Sequence, residues 1–383
     1  MLKLKPILYE LPAFQQLAGL LSRDKNFTVR GLYGSLPAVM ANFIREHCDR
    51  PVLVIQPDSD TAEKFVDDLH SFMLPSATGY YPSEEVVPFE QGMFTPALYS
   101  MRMNALALAI EEKRPVIVTT PTALLRRVPP PETFRKNIVH LKVGEDFERD
   151  LLIEWLVESS YERVPIIEEI GQFSVRGGIL DVFSFESEVP NRLEFFGDTI
   201  ESIREFDILS QLSDQQVQQV RLLGKAPGQK DEAALFDYLP ANTVIFWDNH
   251  ARSLKQVEDW LLEAEERFAA KKEQLHIETI HDHYLPMADL EKGLSRFRFV
   301  LNTHFGAKES TDIDFGSGPP PAFQGNMKLF TEFLRKELIA PKGPDRSKVF
   351  ILHDGKSTRE RLEEIIEAEM GIVPGIQFLD GEL

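Results

Sequence analysis

Short apolar runs set far apart, each followed by an amphipathic stretch, constrain this chain more than any other feature of it. Residues 27–32, 52–55 (VLVI) and 115–119 (PVIVT) have the length and β-branched content of strands buried on both faces. Residues 38–47, 61–69 and 96–113 carry apolar side chains at helical spacing, the second of these with Asp58 or Ser59 as a cap. Such alternation predicts a parallel sheet covered by helices. Arg126, Arg127 and the proline run 129–131 close this first unit.

From about residue 140 the pattern changes. A helix over 150–159 precedes short strands at 173–176, 179–183, 192–196 and 200–206, with turns at Gly177-Gly178, at 188–191 and at Gly197-Asp198. Short strands joined by tight turns predict an antiparallel sheet, hence an inserted α+β domain. After residue 211 the first pattern returns with a strand at 243–247. A long helix follows, lined by Leu254, Val257, Leu261, Ala264 and Phe268, and then a strand at 297–301. A glycine- and proline-rich stretch over 316–325 reads as a linker, and 348–352 with 357–370 as another strand and helix. The expected divisions are residues 1–135, the first part of an α/β lobe; 136–211, the insert; 212–345, the second part of the lobe with a linker over 314–325; and 346–383, the start of a further small α/β domain.

Charge narrows the function. With 42 Lys plus Arg against 61 Asp plus Glu, the 383 residues carry a net charge of −19, which repels phosphate and argues against a nucleic-acid grip as the chain's main task. Residues 145–210 alone hold 17 acidic and five basic side chains, a block suited to a basic partner or to a solvated face. No run reaches the ~18 uncharged apolar residues of a membrane span and no leader pattern opens the chain, so a cytoplasmic protein with no membrane partner is expected. A single cysteine, Cys48, excludes an internal disulfide and any paired-cysteine metal site.

The turn Gly31-Leu32-Tyr33-Gly34-Ser35-Leu36-Pro37-Ala38 stands where a phosphate-binding loop belongs, after a strand and before a helix. The Gly-Lys-Thr positions of such a loop fall on Leu36, Pro37 and Ala38, which offer no ammonium, no hydroxyl for Mg²⁺ and one amide fewer. The fold class expected is therefore α/β, a degenerate RecA- or P-loop-like lobe interrupted by an α+β insert, with no bound cofactor. Asp231-Glu232-Ala233-Ala234 resembles a helicase acidic box, but Pro227-Gly228-Gln229-Lys230 precede it instead of a buried strand, so it is expected to open a helix. His276, His281 and His283 have spacings that suit neither one helix face nor a usual zinc pattern.

Two runs carry a family resemblance: Gly171 to Phe183 (GQFSVRGGILDVF) and Arg192 to Ile203 (RLEFFGDTIESI). With the degenerate loop and the interrupted lobe, over roughly residues 20–350, the chain resembles the amino-terminal part of the bacterial transcription-repair coupling factor (Mfd) family. The excision-repair helicase UvrB carries similar runs but is expected to keep the loop lysine, which Pro37 replaces, and a DNA-clamping aromatic hairpin, for which residues 80–98 are too short and proline-interrupted. The resemblance implies a non-catalytic module whose insert binds UvrA. Contacts to RNA polymerase and DNA, and an ATP-dependent DNA translocase, would lie in regions absent from this chain. An ATP-dependent helicase related to UvrB is the alternative. The resemblance places the UvrA-binding positions at Arg176, Arg192 and Phe196. Strand alternation sets Arg192, Glu194 and Phe196 on one face and Leu193 and Phe195 on the other, so Phe196 either packs locally or anchors a partner.

Overall fold

The computed structural model describes residues 4–23, 25–73, 75–83, 96–224, 231–272, 279–303, 311–319, 321–339, 349–353, 355–371 and 375–380. The chain opens with α1 (Lys5–Tyr9) and α2 (Pro12–Leu21). It then alternates β1 (Phe27–Arg30), α3 (Leu36–His47), β2 (Val52–Ile55), α4 (Ser59–Phe72), β3 (Thr78–Tyr81), α5 (Pro96–Glu111) and β4 (Val116–Thr119). Asp58 is the cap of α4: its Oδ1 accepts the Thr61 amide at 2.9 Å, and its own amide donates to Thr61 Oγ1 at 3.4 Å. After α6 (Pro131–Lys136) come β5 (Ile138–Lys142), α7 (Arg149–Glu158), β6 (Glu162–Arg163), β7 (Gln172–Arg176) and β8 (Ile179–Val182). Next are β9 (Asn191–Phe196), β10 (Thr199–Phe206), β11 (Ser213–Val217) and β12 (Gln219–Leu223). The lobe resumes with β13 (Val244–Asp248), α8 (His250–Lys271), α9 (Met287–Leu294), β14 (Arg298–Asn302) and β15 (Ile313–Asp314). Finally come α10 (Met327–Ile339), β16 (Val349–His353), α11 (Lys356–Met370) and β17 (Ile376–Asp380).

The lobe is built on a seven-stranded sheet in the order β15-β1-β14-β13-β2-β4-β3, with every pairing parallel. Because β2 pairs with β4 on one side and β13 on the other, the sheet closes across the insertion point. Successive side chains of β2 enter opposite cores. Leu53 and Ile55 meet Ile117, Ile245 and Trp247 beneath α8 and α9, while Val52 and Val54 meet Val116, Val118 and Phe246 beneath α3 and α4. Coverage on both sides explains why these strands are apolar throughout. Each fully buried Val, Leu or Ile contributes about 1.5–3 kcal/mol of transfer free energy.

The insert holds a six-stranded sheet, β11-β10-β9-β8-β7-β6, antiparallel except for the β6–β7 pair. Phe173, Leu180, Val182, Leu193 and Phe195 line one face and pack on Leu152 and Leu156 of α7. Entry and exit strands β5 and β12 pair with each other, Ile138 opposite Leu223, so the insert returns to the lobe where it left. It therefore continues beyond the expected end at 211: β11 is the sheet's own edge and β12 its exit. Arg221 of β12 fastens the insert to the lobe. Its Nε lies 2.8 Å from the Glu186 carboxylate, its Nη1 2.6 Å from Glu111 Oε2 of α5, and its Nη2 3.0 Å from Asn104 Oδ1 of the same helix.

Three other expectations shift. The linker begins later than 314, since Asp314 belongs to β15 and residues 315–317 lie against the turn after β1. Helix α10 packs on α11, with Arg335 Nη2 donating to the Glu369 carbonyl at 2.7 Å, so it groups with the small β16–β17 unit and not with the lobe. Asp231 and Glu232 do not open a helix. Ala233 forms an antiparallel bridge with Val128, and the short helix starts at Leu235, where the acid in its first turn is Asp237.

Candidate functional site

The second face of the inserted sheet is polar. Arg176 on β7, Asp181 on β8, Arg192 and Glu194 on β9, and Ser202 and Arg204 on β10 lie opposite the Leu and Phe row that forms the core. Cross-strand register makes Ser174, Asp181, Arg192 and Arg204 one continuous row. Asp181, 1% exposed, takes both arginines: Arg192 Nε reaches Oδ1 at 2.7 Å and Nη2 reaches Oδ2 at 3.1 Å, while Arg176 Nη2 pairs with Oδ2. The hydrogen bonds to Asp181 raise the Arg192 guanidinium above its already high ordinary pKa, so it stays charged at any working pH. Beside this row, Glu194 accepts Ser202 Oγ at 2.6 Å and Arg204 Nη2 at 3.3 Å.

Phe196 ends β9 on this polar face and is 75% exposed, so it does not pack locally. Arg176 is half-exposed. Arg192 is not a free surface cation: only 15% of its side chain is exposed, with the guanidinium 4.6 Å above the Phe206 ring and Nη1 3.3 Å from the Gln211 carbonyl. The structure thus brings Arg176, Arg192, Glu194 and Phe196 to one face, but Arg192 is a partly buried, ion-paired brace of it. The turn between β7 and β8 needs its two glycines: Gly177 has φ +63°, and a Cβ on Gly178 would lie 2.7 Å from the Phe195 carbonyl oxygen.

Sequence reading missed Asp181. The alternation applied to β9 would have found it, because Leu180 and Val182 flank it and enter the core, leaving a carboxylate on the arginine face. Arg204 and Ser202 could be reached the same way only in part, since the β10 register shifts between Ile200 and Ser202.

The turn after β1 presents the opposite picture. Gly31 and Gly34 have φ +69° and +58°, the geometry of a loop feeding a helix, and α3 starts at Leu36 with Pro37 in its first turn. The loop's polar groups are answered from within the chain. Ser317 Oγ accepts the Tyr33 amide at 3.1 Å and donates to the Gly31 carbonyl at 2.5 Å. Ser35 Oγ donates to Asp68 Oδ1 at 2.8 Å, which brings a carboxylate to the helix amino terminus where a phosphate would lie. Burial pushes the Asp68 pKa upward, and the Ser35 hydrogen bond opposes that shift. Ala38 is fully buried.

The remaining candidates come to little. His281 and His283 flank a short turn capped by Asp282, whose Oδ2 accepts the Thr279 amide at 3.0 Å, while His276 lies outside the described residues. Among the described residues no group of three His, Cys, Asp or Glu is placed to hold a metal ion. Of the stretch 80–98 proposed as too short for a hairpin, residues 84–95 lie outside the described residues. No described helix is long and apolar enough to cross a membrane.

Comparison with known proteins falls on the same insert. A family model described as "UvrB interaction domain" matches residues 139–226, which agrees with the β5-to-β12 span. Transcription-repair-coupling factors are similar over longer stretches. That of Bacillus subtilis (strain 168) is 28% identical over 260 residues, 67% of this chain and 21% of the relative. The Myxococcus xanthus protein is 34% identical over 217 residues, 55% and 18% respectively. The Staphylococcus aureus (strain USA300) protein is 31% identical over 195 residues, 51% and 17%. The chain spans about a fifth of the length of these relatives. Domain match, relatives and interrupted lobe agree in making this chain similar to the UvrB-homology part of the transcription-repair-coupling factors, with the insert matching the UvrB interaction domain.

Proposed function

We propose that this module is a recruitment surface: its insert binds UvrA and so brings excision repair to a stalled RNA polymerase, while the lobe carries the insert and does no nucleotide chemistry. The observation that supports this best is Phe196, held in water on a strand whose next residue inward is core, and on the same sheet face as Arg176, Glu194 and Arg204. An exposed aromatic ring that shares a sheet face with arginines is a usual composition for an interface anchor. In the lobe, Pro37 where a lysine is needed, Ser317 inside the loop and Asp68 at its helix end all disfavour a bound triphosphate. Polymerase and DNA contacts, and any translocation, then belong to other regions of a longer protein acting in the cytoplasm.

The test is co-elution with purified UvrA on size exclusion at about 150 mM salt. The reading expects a shifted complex with UvrA and none with plain duplex DNA, because a net charge of −19 resists phosphate contact. Tight DNA binding together with no UvrA complex would instead favour a helicase related to UvrB.

A further inference from the structure

The connection between β10 and β11 is a rigid loop that holds two leucines in water. Leu209 is 94% and Leu212 70% exposed, although leucine is a core residue by preference. Exposure of this kind often marks a loose segment, but this backbone is bonded on every side. Asp207 Oδ1 accepts the Ser210 amide at 2.8 Å, the Gln211 amide donates to the Asp207 carbonyl at 2.8 Å, and the Asp207 amide donates to the Leu212 carbonyl at 3.1 Å. Gln211 adopts φ +57°, and its Nε2 donates to the carbonyls of Ile208 (2.7 Å) and Ile167 (3.4 Å). Ile208 packs on the small cluster of Ile167, Phe183 and Phe206, which pins the inner side of the loop. These bonds fix the backbone of the loop, on which both leucines stand outward.

Arg192 joins this loop to the Phe196 face. Its guanidinium spans Asp181 on one side and the Phe206 ring and Gln211 carbonyl on the other, leaving little of it for a partner to touch. The charge around the loop is acidic: Glu168, Glu169, Asp207 and Asp214 are all exposed, and they belong to or adjoin the acidic 145–210 block. An apolar pair with an acidic rim fits a partner patch that is apolar at its centre and basic at its edge.

We propose that the UvrA-contacting surface extends from Phe196 across Arg192 to the 207–212 loop, with Leu209 and Leu212 as direct contacts and Arg192 as the positioning residue that holds the loop in place. This rests on the reading that the insert binds UvrA. Neither leucine lies in the two runs that carry the family resemblance.

The test measures UvrA affinity for the whole chain as wild type, Phe196→Ala and the Leu209→Ser/Leu212→Ser double variant, each with a thermal melt. The double variant is expected to bind about tenfold or more weakly and to melt like wild type, since both side chains already stand in solvent. If it binds like wild type while Phe196→Ala is weakened, the leucine contacts are refuted and the recruitment reading stands. If wild type itself fails to bind UvrA, both fail. Arg192→Lys, which keeps the charge but loses the fork, separates positioning from contact. It should weaken binding in the wild-type background and add little in the double-serine background. An equal loss in both backgrounds would overturn the positioning role, whatever the variant does to stability.

Discussion

The turn after β1 and the open face of the inserted sheet hold similar groups, namely hydroxyls, carboxylates and positive-φ glycines, yet they differ in where those groups are spent. In the turn, Ser317 takes the Tyr33 amide and the Gly31 carbonyl, and Asp68 takes the Ser35 hydroxyl. On the inserted sheet the ion pairs also close internally, around Asp181 and Glu194, but they brace a surface that leaves Phe196, Leu209 and Leu212 in water. Polar groups answered at home mark a scaffold. Apolar groups held outward by such a scaffold are what the proposed partner would cover, recovering transfer free energy that exposure forgoes.

The largest expected effect tests how the sheet is braced. Arg192→Ala leaves the Asp181 carboxylate buried with Arg176 alone, and should lower unfolding stability by about 3 kcal/mol in urea, the low end for breaking a buried pair. A loss below about 1 kcal/mol would show that Asp181 finds other solvation and that the bracing is weak. Gly31→Ala tests the scaffold side of the comparison. At φ +69° its Cβ would lie 2.8 Å from Asp314 Oδ1 and 2.9 Å from the Gly316 nitrogen, so a loss of about 2 kcal/mol is expected, with UvrA affinity unchanged.

A smaller effect separates the two regions by pH. Burial lowers the pKa of His250 from 6.5, and its ring stands in the first turn of α8 against Trp247 at 4.5 Å, where a positive charge is also opposed by the helix dipole. The folded state therefore binds this proton less readily than the unfolded chain does. Stability from this group is present above pH 6.5 and is lost as pH falls below it toward the lowered value. Melts between pH 7 and 5 should show a shallow decline that His250→Asn removes. The smallest expected signal is none: calorimetric titration of Mg-ATP should give no saturable heat with wild type or with Pro37→Lys, because restoring the lysine displaces neither Ser317 nor Asp68.

Much of the architecture was legible because its strands are short apolar runs with clear ends: β2 spans the expected residues, and β4, β8 and β9 fall within one of them. Edge strand β11, SDQQV, is polar and exposed; it is a strand only because β10 pairs with it, and no periodicity announces such an element. Its absence from the reading is why the insert was expected to end at 211. The site was legible in its row of Arg192, Glu194 and Phe196, since strand alternation is local. The burial of Arg192 was not, because it depends on Asp181 from another strand and on Gln211 from a loop distant in sequence. Nothing in the sequence singles out Leu209 and Leu212; their exposure shows only in the structure, where the loop after β10 holds them in water.

The central claim is that Phe196 belongs to a partner and not to the fold, and one paired measurement addresses it: the affinity for UvrA and the unfolding stability of Phe196→Ala beside wild type. The substitution leaves charge untouched and removes a side chain already 75% exposed. Stability should stay within about 0.5 kcal/mol of wild type while UvrA affinity falls by about 2 kcal/mol, roughly thirtyfold. Full-strength binding by a stable variant, or a variant that unfolds, would contradict the claim.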